Sequence, residues 1–396
     1  MKSLKCLYKI GNGPSSSHTM GPAKACKVML ERYPDALKYR VILYGSLALT
    51  GKGHLTDKVI EKTFFPKEVS IEYDYLTYCS YHSNTMDIHA IYDDKDEMLR
   101  FYSIGGGSLE IKGEGKYLEE DIYPERNFKE VEEYCNKNNV NLVEYVIHRE
   151  GEDIYEYMEE IFDQMEKTIQ EGLSKDGILP GKLGVKRKAK IIKETSLADN
   201  NMDLIKNVYS YAYATSEENA SGGIVVTAPT CGSSGLLPAL IFGARDYFGF
   251  SKRKLMKALM VASIFGNIAK QNASISGAEA GCQAEIGVAC SMGAAAYAYL
   301  LGASIHQIEV AAEIALEHHL GLTCDPVLGY VQIPGIERNA VCALRAINAA
   351  ELAVFIESEN KVSFDMVVET MMQTGRDLKE GYKETSLGGL AKEFKE

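Results

Sequence analysis

Two cysteines of this 396-residue chain sit in stretches suited to chemistry more than to packing. Cys282 closes SISGAEAGC (274–282), and Cys324 lies in GLTCDP (321–326). Both stretches are dense in glycine and small polar residues. A thiolate is a metal ligand; without disulfides, a cysteine is either that or a small apolar residue. Upstream, QNASISG (271–277) places Asn272, Ser274 and Gly277 in a polar run that does not suit a core. A third stretch, IPGIERNA (333–340), carries Gly335 and Arg338. EHHLGLTCDP (317–326) ends a helical pattern in the Cys324 loop, where the plain reading of His319 is a C-terminal cap. Cys290 and Cys342 fall in Ala-rich helical runs and read as packing.

Further loops offer other chemistry. GNGPSSSHTMGP (11–22) gathers Ser15, Ser16, Ser17 and His18 among backbone-shaping residues, which is either a carboxylate cradle or a flexible turn. GKGH (51–54) sets His54 beside glycines, where an imidazole can approach a ligand and move protons near neutrality; an ordinary surface histidine is the alternative. YSIGGG (102–107) is a small anion site or a β-bulge. APTCGSSG (228–235) contains Cys231 and leads into a helix, but lacks the lysine of a phosphate loop.

These loops need elements to hold them. Up to about residue 150, β-rich runs at 41–46, 69–73, 88–92 and 99–104 alternate with loops, and residues 23–31 read as a helix entered from Pro22. A charged helix is expected over 152–171, followed by breakers from Gly172 to Lys182. Beyond Met202 the pattern is helical, with Gly223 to Thr227 as the one extended run. The expectation is an α+β N-terminal domain over 1–150, a helical linker over 151–180 and an all-α helical domain over 181–396. Residues 286–305 carry no charge, but their Ala, Gly, Ser, Cys and Tyr content predicts a buried core helix, not a membrane span.

Composition narrows the classes. A net charge of −12 and no basic cluster speak against nucleic-acid binding. Nine irregularly spaced cysteines and no secretory signal fit a cytoplasmic protein without disulfides.

The segments GPSSSHTMGP, YGSLALTGKGH, YSIGGG, LPGKL, VVTAPT, NASISGAEAGCQAEIGVACSM, AAEIALEHHLGLTCDPV, IERNA, INAAELA and TGRDLKEGYKETSLGGLA occur in order along nearly the whole chain. Together they resemble the iron–sulfur-dependent L-serine dehydratases (L-serine ammonia-lyases). The resemblance implies a β-type domain followed by an α-type helical domain, with the active site between them. It implies a 4Fe–4S cluster on three cysteines and no pyridoxal phosphate. Cys282 and Cys324 match two of those positions, and Gly335 stands at the third. Cys231 and His319 stand where the family usually has Asn, and are the expected replacement ligands. By the same resemblance His54 is the base that takes the α-proton. His18 assists, and Ser15, Ser16, Ser17, Asn272, Ser274, Gly277 and Arg338 bind the amino acid. A homodimer is expected. The implied reaction converts L-serine to pyruvate and ammonia. Two other readings are lysis of a different β-substituted amino acid such as L-cysteine, and a cluster-free regulatory protein that binds an amino acid.

Overall fold

The computed structural model describes residues 1–117, 119, 121–196, 202–356 and 360–395. Eight strands occur among them: β1 Ile10–Asn12, β2 Lys38–Tyr44, β3 Glu68–Asp74, β4 Thr85–Ile91, β5 Asp96–Ser103, β6 Leu109–Ile111, β7 Gly115–Lys116 and β8 Ile224–Val226. Six form one sheet in the order β3-β2-β4-β5-β6-β7. Only β2 and β3 are parallel. A parallel pair needs a crossover, and the helices Gly45–Thr50 and Thr56–Phe64 supply it. Val41 sits opposite Ile71 on one side and Ile88 on the other, so β-branched residues line the sheet interior. Helix Gly21–Arg32, opened by Pro22, buries Ala25, Cys26, Val28 and Met29 in the same core. Tyr39 stacks on Phe64 with ring centroids 4.2 Å apart, which adds about 1 kcal/mol to its burial.

The first eight residues belong elsewhere. Met1, Leu4, Leu7 and Tyr8 are buried in the helical core, and the Tyr8 hydroxyl donates to the Leu259 carbonyl at 2.8 Å. β1 then pairs antiparallel with β8, Ile10 opposite Val226. The extended run at Gly223 to Thr227 is thus a true strand, partnered by the N-terminus. The 151–180 segment holds helix Ile154–Ser174, whose Met158, Ile161, Phe162, Met165 and Ile169 recur at helical spacing and pack into the helical core.

At the centre of that core is helix Val288–Leu300. It packs on helices Leu236–Phe248, Lys252–Asn272, Ile305–Glu317 and Gly335–Phe355. Its alanines allow close approach, and each buried methyl contributes on the order of 0.8 kcal/mol. No helix among the described residues is long and apolar enough to cross a membrane. The helix is preceded by a wide π-type turn, Gln283–Gly287, and a second such turn spans Ser16–Met20. Such turns are rare and concentrate at functional sites. Both lie where the two cores meet.

Candidate active site between the sheet and the helical core

His18 projects from the Ser16–Met20 turn and is fully buried. Ser15 caps that turn by accepting from the His18 N–H. The His18 ring is held at both nitrogens, with Nδ1 2.9 Å from Ser17 Oγ and Nε2 2.9 Å from Ser46 Oγ. Ser46 can approach because Gly45 adopts a positive φ of 52°. A Cβ at residue 45 would lie 2.4 Å from the Ser83 carbonyl oxygen. Burial, only partly offset by Glu384, lowers His18 to about 4, so it is neutral at neutral pH.

His54 stacks on His18, with ring centroids 4.4 Å apart. Its Nδ1 is 2.8 Å from the Thr50 carbonyl oxygen, which can only accept, so Nδ1 carries a hydrogen. Its Nε2 is 3.0 Å from Glu384 Oε1. One exchangeable proton must sit in that contact. Burial pushes the Glu384 carboxyl up, but the neighbouring His18 and His54 outweigh it and hold the group below its ordinary value.

Glu384 arrives on a return segment from the far end of the chain. The Ser46 hydroxyl donates to its carbonyl, and the Cys324 N–H donates to the Tyr382 carbonyl at 2.8 Å. This segment therefore joins the histidine pair to the cysteine loop. Cys282 and Cys324 are both buried. The neighbouring Cys324 thiol, helped by Arg338 against burial, lowers the Cys282 thiol; the Cys282 thiol and burial raise Cys324. Arg338 is aimed by Nη1 on the Thr323 carbonyl at 2.7 Å and Nη2 on Asp325 Oδ1 at 3.3 Å. Glu285, from the Gln283–Gly287 turn, accepts from the Gly277 N–H at 3.0 Å and from Thr230 Oγ1. Burial first, then Glu384 and Cys282, push its carboxyl well up.

These groups face one cavity of about 50 Å³, with Ser15, Cys282, Glu285, Cys324, Arg338 and Glu384 on its wall. At roughly 10–15 Å³ per water, it holds on the order of four water molecules. Gly335, the first residue of helix Gly335–Phe355, also lines it. A Cβ there would meet nothing within 4 Å.

Not every expected residue reaches this cavity. Asn272 is the exposed last residue of its helix, and its amide donates to the Arg126 carbonyl at 2.7 Å. Ser274 is buried, but its hydroxyl is taken by Glu279 Oε2 at 2.6 Å. Ser16 and Ser17 lie in the histidine turn, not on the cavity wall. Neither expected replacement ligand is presented to the cavity. Cys231 Sγ contacts Met20 Sδ at 3.3 Å. His319 is held by the Ala315 carbonyl at 2.6 Å and Cys342 Sγ at 3.1 Å, and lines a different cavity beside His318 and Arg345. Conversely, Glu285 and Glu384 do not stand out in the sequence, although both lie inside the motifs GCQAEIG and KETS. Acidic side chains between glycines or beside lysine read as solvated; only their burial marks them.

Gly277 is the wedge point of the site. A Cβ there would sit 2.4 Å from Glu285 Oε1 and 3.1 Å from Cys324 Sγ. Gly277→Ala is expected to cost about 1–3 kcal/mol through overpacking and to lower activity by about tenfold or more as Glu285 moves off its hydrogen bond. Denaturant midpoints and turnover rates measured together check this.

Comparison with known proteins is specific. A family model described as "Serine dehydratase beta chain" matches residues 3–63, and one described as "Serine dehydratase alpha chain" matches residues 84–391. An L-serine dehydratase of Haemophilus influenzae is 37% identical, with 99% of each chain covered. L-serine dehydratase 1 of Escherichia coli is 39% identical, again over 99% of each chain. An L-serine dehydratase of Helicobacter pylori is 38% identical over 99% of both.

Proposed function

The chain belongs to the serine dehydratase family, and on that premise we propose that it converts L-serine to pyruvate and ammonia in the cavity between Glu384 and the paired cysteines. The observation that carries this reading is the convergence of Glu384, with His54 held behind it, Arg338 and the two thiols on one small cavity, in a chain that matches L-serine dehydratases over its whole length.

Two steps need help. The α-proton of serine is weakly acidic, and a positioned base must take it. His54 is suited to be that base. Its Nδ1–H is fixed on the Thr50 carbonyl, which leaves Nε2 as the working atom. Glu384 then stabilises the imidazolium formed. The base must be free of a proton to act, so activity rises with pH. Arg338 pairs with the substrate carboxylate, and the Ser15 hydroxyl hydrogen-bonds its polar end. Elimination gives an aminoacrylate, which tautomerises and hydrolyses to pyruvate and ammonia.

Hydroxide is a poor leaving group and needs an electrophile at the other end of the cavity. The family is in general iron–sulfur dependent. Here two thiols face the cavity, and the third position is Gly335, with no side chain and open space at its Cβ. The residues present do not supply the three-thiolate set that the resemblance implied, and they do not fit a four-iron cluster held by cysteines alone.

Incubating anaerobically prepared protein with L-serine tests the reading. Pyruvate and ammonia are expected in equal amounts. Sulfide release from L-cysteine, with no pyruvate from L-serine, would overturn it.

A further inference from the structure

We infer that Cys282, Cys324, Glu285 and Glu384 form a site for a single divalent cation of the Zn²⁺ or Fe²⁺ kind, in place of a cluster. Donor atoms of Glu285, Cys324 and Glu384 lie within 4.8 Å of one another. Cys282 lines the same cavity and offers a second sulfur beside them. In a tetrahedral site with bonds of about 2.0–2.3 Å, ligand atoms stand about 3.6 Å apart. Contraction by roughly an ångström therefore closes Glu285, Cys324 and Glu384 on one ion, with Cys282 drawn in from the cavity wall as the fourth ligand.

A second, independent observation points the same way. Glu384 is 5% exposed and lines the cavity, yet its Oε2 has no hydrogen-bond partner, His18 Nδ1 standing 3.7 Å away. Its other oxygen is held by His54. A buried carboxylate oxygen left free is costly unless something binds it. The supports of a metal site are also present. Gly277 N–H and Thr230 Oγ1 orient Glu285, and the Cys324 backbone is anchored on Tyr382. The Arg338 guanidinium lines the same cavity beside the thiols. Mixed sulfur and carboxylate donors suit Zn²⁺ or Fe²⁺ better than Mg²⁺ or Ca²⁺. The ion would then be the electrophile for the departing hydroxyl. That role rests on the serine-deaminating reading; the binding does not.

Co²⁺ titrated into the metal-stripped, anaerobic full chain tests this on unmutated protein. One Co²⁺ per chain is expected, with strong visible bands of a tetrahedral ion and thiolate-to-cobalt charge transfer in the near ultraviolet. Glu285→Gln, which is close to isosteric, is expected to weaken Co²⁺ about tenfold or more while circular dichroism stays unchanged. Absence of those bands from wild-type protein overturns the inference. So does reconstitution of wild-type and Glu285→Gln alike to four irons and four sulfides per chain. Co²⁺ bound as described by a chain that never deaminates serine supports the site and removes the functional reading. Serine turnover by a metal-stripped chain that takes up no Co²⁺ does the reverse.

Discussion

His54→Gln is expected to lower kcat for L-serine by about 10²- to 10⁴-fold, with KM changed only a few-fold. The loss corresponds to about 3–5 kcal/mol of transition-state stabilisation. Glutamine is the informative replacement. Its amide can still donate to Glu384, so the buried carboxylate keeps a partner, and the backbone contacts of residue 54 to Thr50 and Thr19 remain. What disappears is an atom able to accept the α-proton. The pH profile separates this from a structural effect. Wild-type kcat/KM should rise with pH as for any reaction that needs a free base; in His54→Gln that rise should be absent. A variant with wild-type kcat, or with an unchanged acidic limb, would place the base elsewhere.

The second large effect concerns metal content. Gly335→Cys should raise iron and acid-labile sulfide, after anaerobic reconstitution, from at most about one iron per chain to about four of each. The cavity already has Cys282 and Cys324 on its wall, and the residue 335 backbone joins them there. A Cβ there has open space around it, so a side chain can start from this position. Residue 335 also opens a 21-residue helix, where the dipole favours a thiolate. Equal iron and sulfide in wild type and Gly335→Cys would show that residue 335 does not limit cluster assembly.

The sequence is informative where local pattern and global packing agree. The runs at 41–46, 69–73, 88–92 and 99–104 form β2 to β5, because each carries β-branched or aromatic residues that one sheet face buries. His18 and His54, 36 residues apart in the chain, stack because both lie on loops pinned by small residues. The helices Phe128–Asn138 and Leu142–Glu150 are not anticipated by the strand-and-loop pattern before residue 150. Their charged surfaces hide short apolar faces, but each opens on an asparagine cap, Asn127 or Asn141, which is the local signal for them. Asn272 falls outside the cavity because a polar residue at a helix end looks the same in sequence whether it faces a cavity or solvent. Glu384 is hidden for a different reason. No local pattern tells that a lysine-flanked glutamate folds back across 330 residues to meet His54.

The return segment bears on the order of events during synthesis. The residues that bury both cores precede residues 380–386 in the chain, and the latter carry Tyr382 and Glu384 to the cysteine loop and the histidine pair. A chain ending near residue 375 would keep both cores yet be chemically silent, its base without a counter-ion and its cavity without one wall. Competence arrives late in translation, as the closing stitch of the polypeptide.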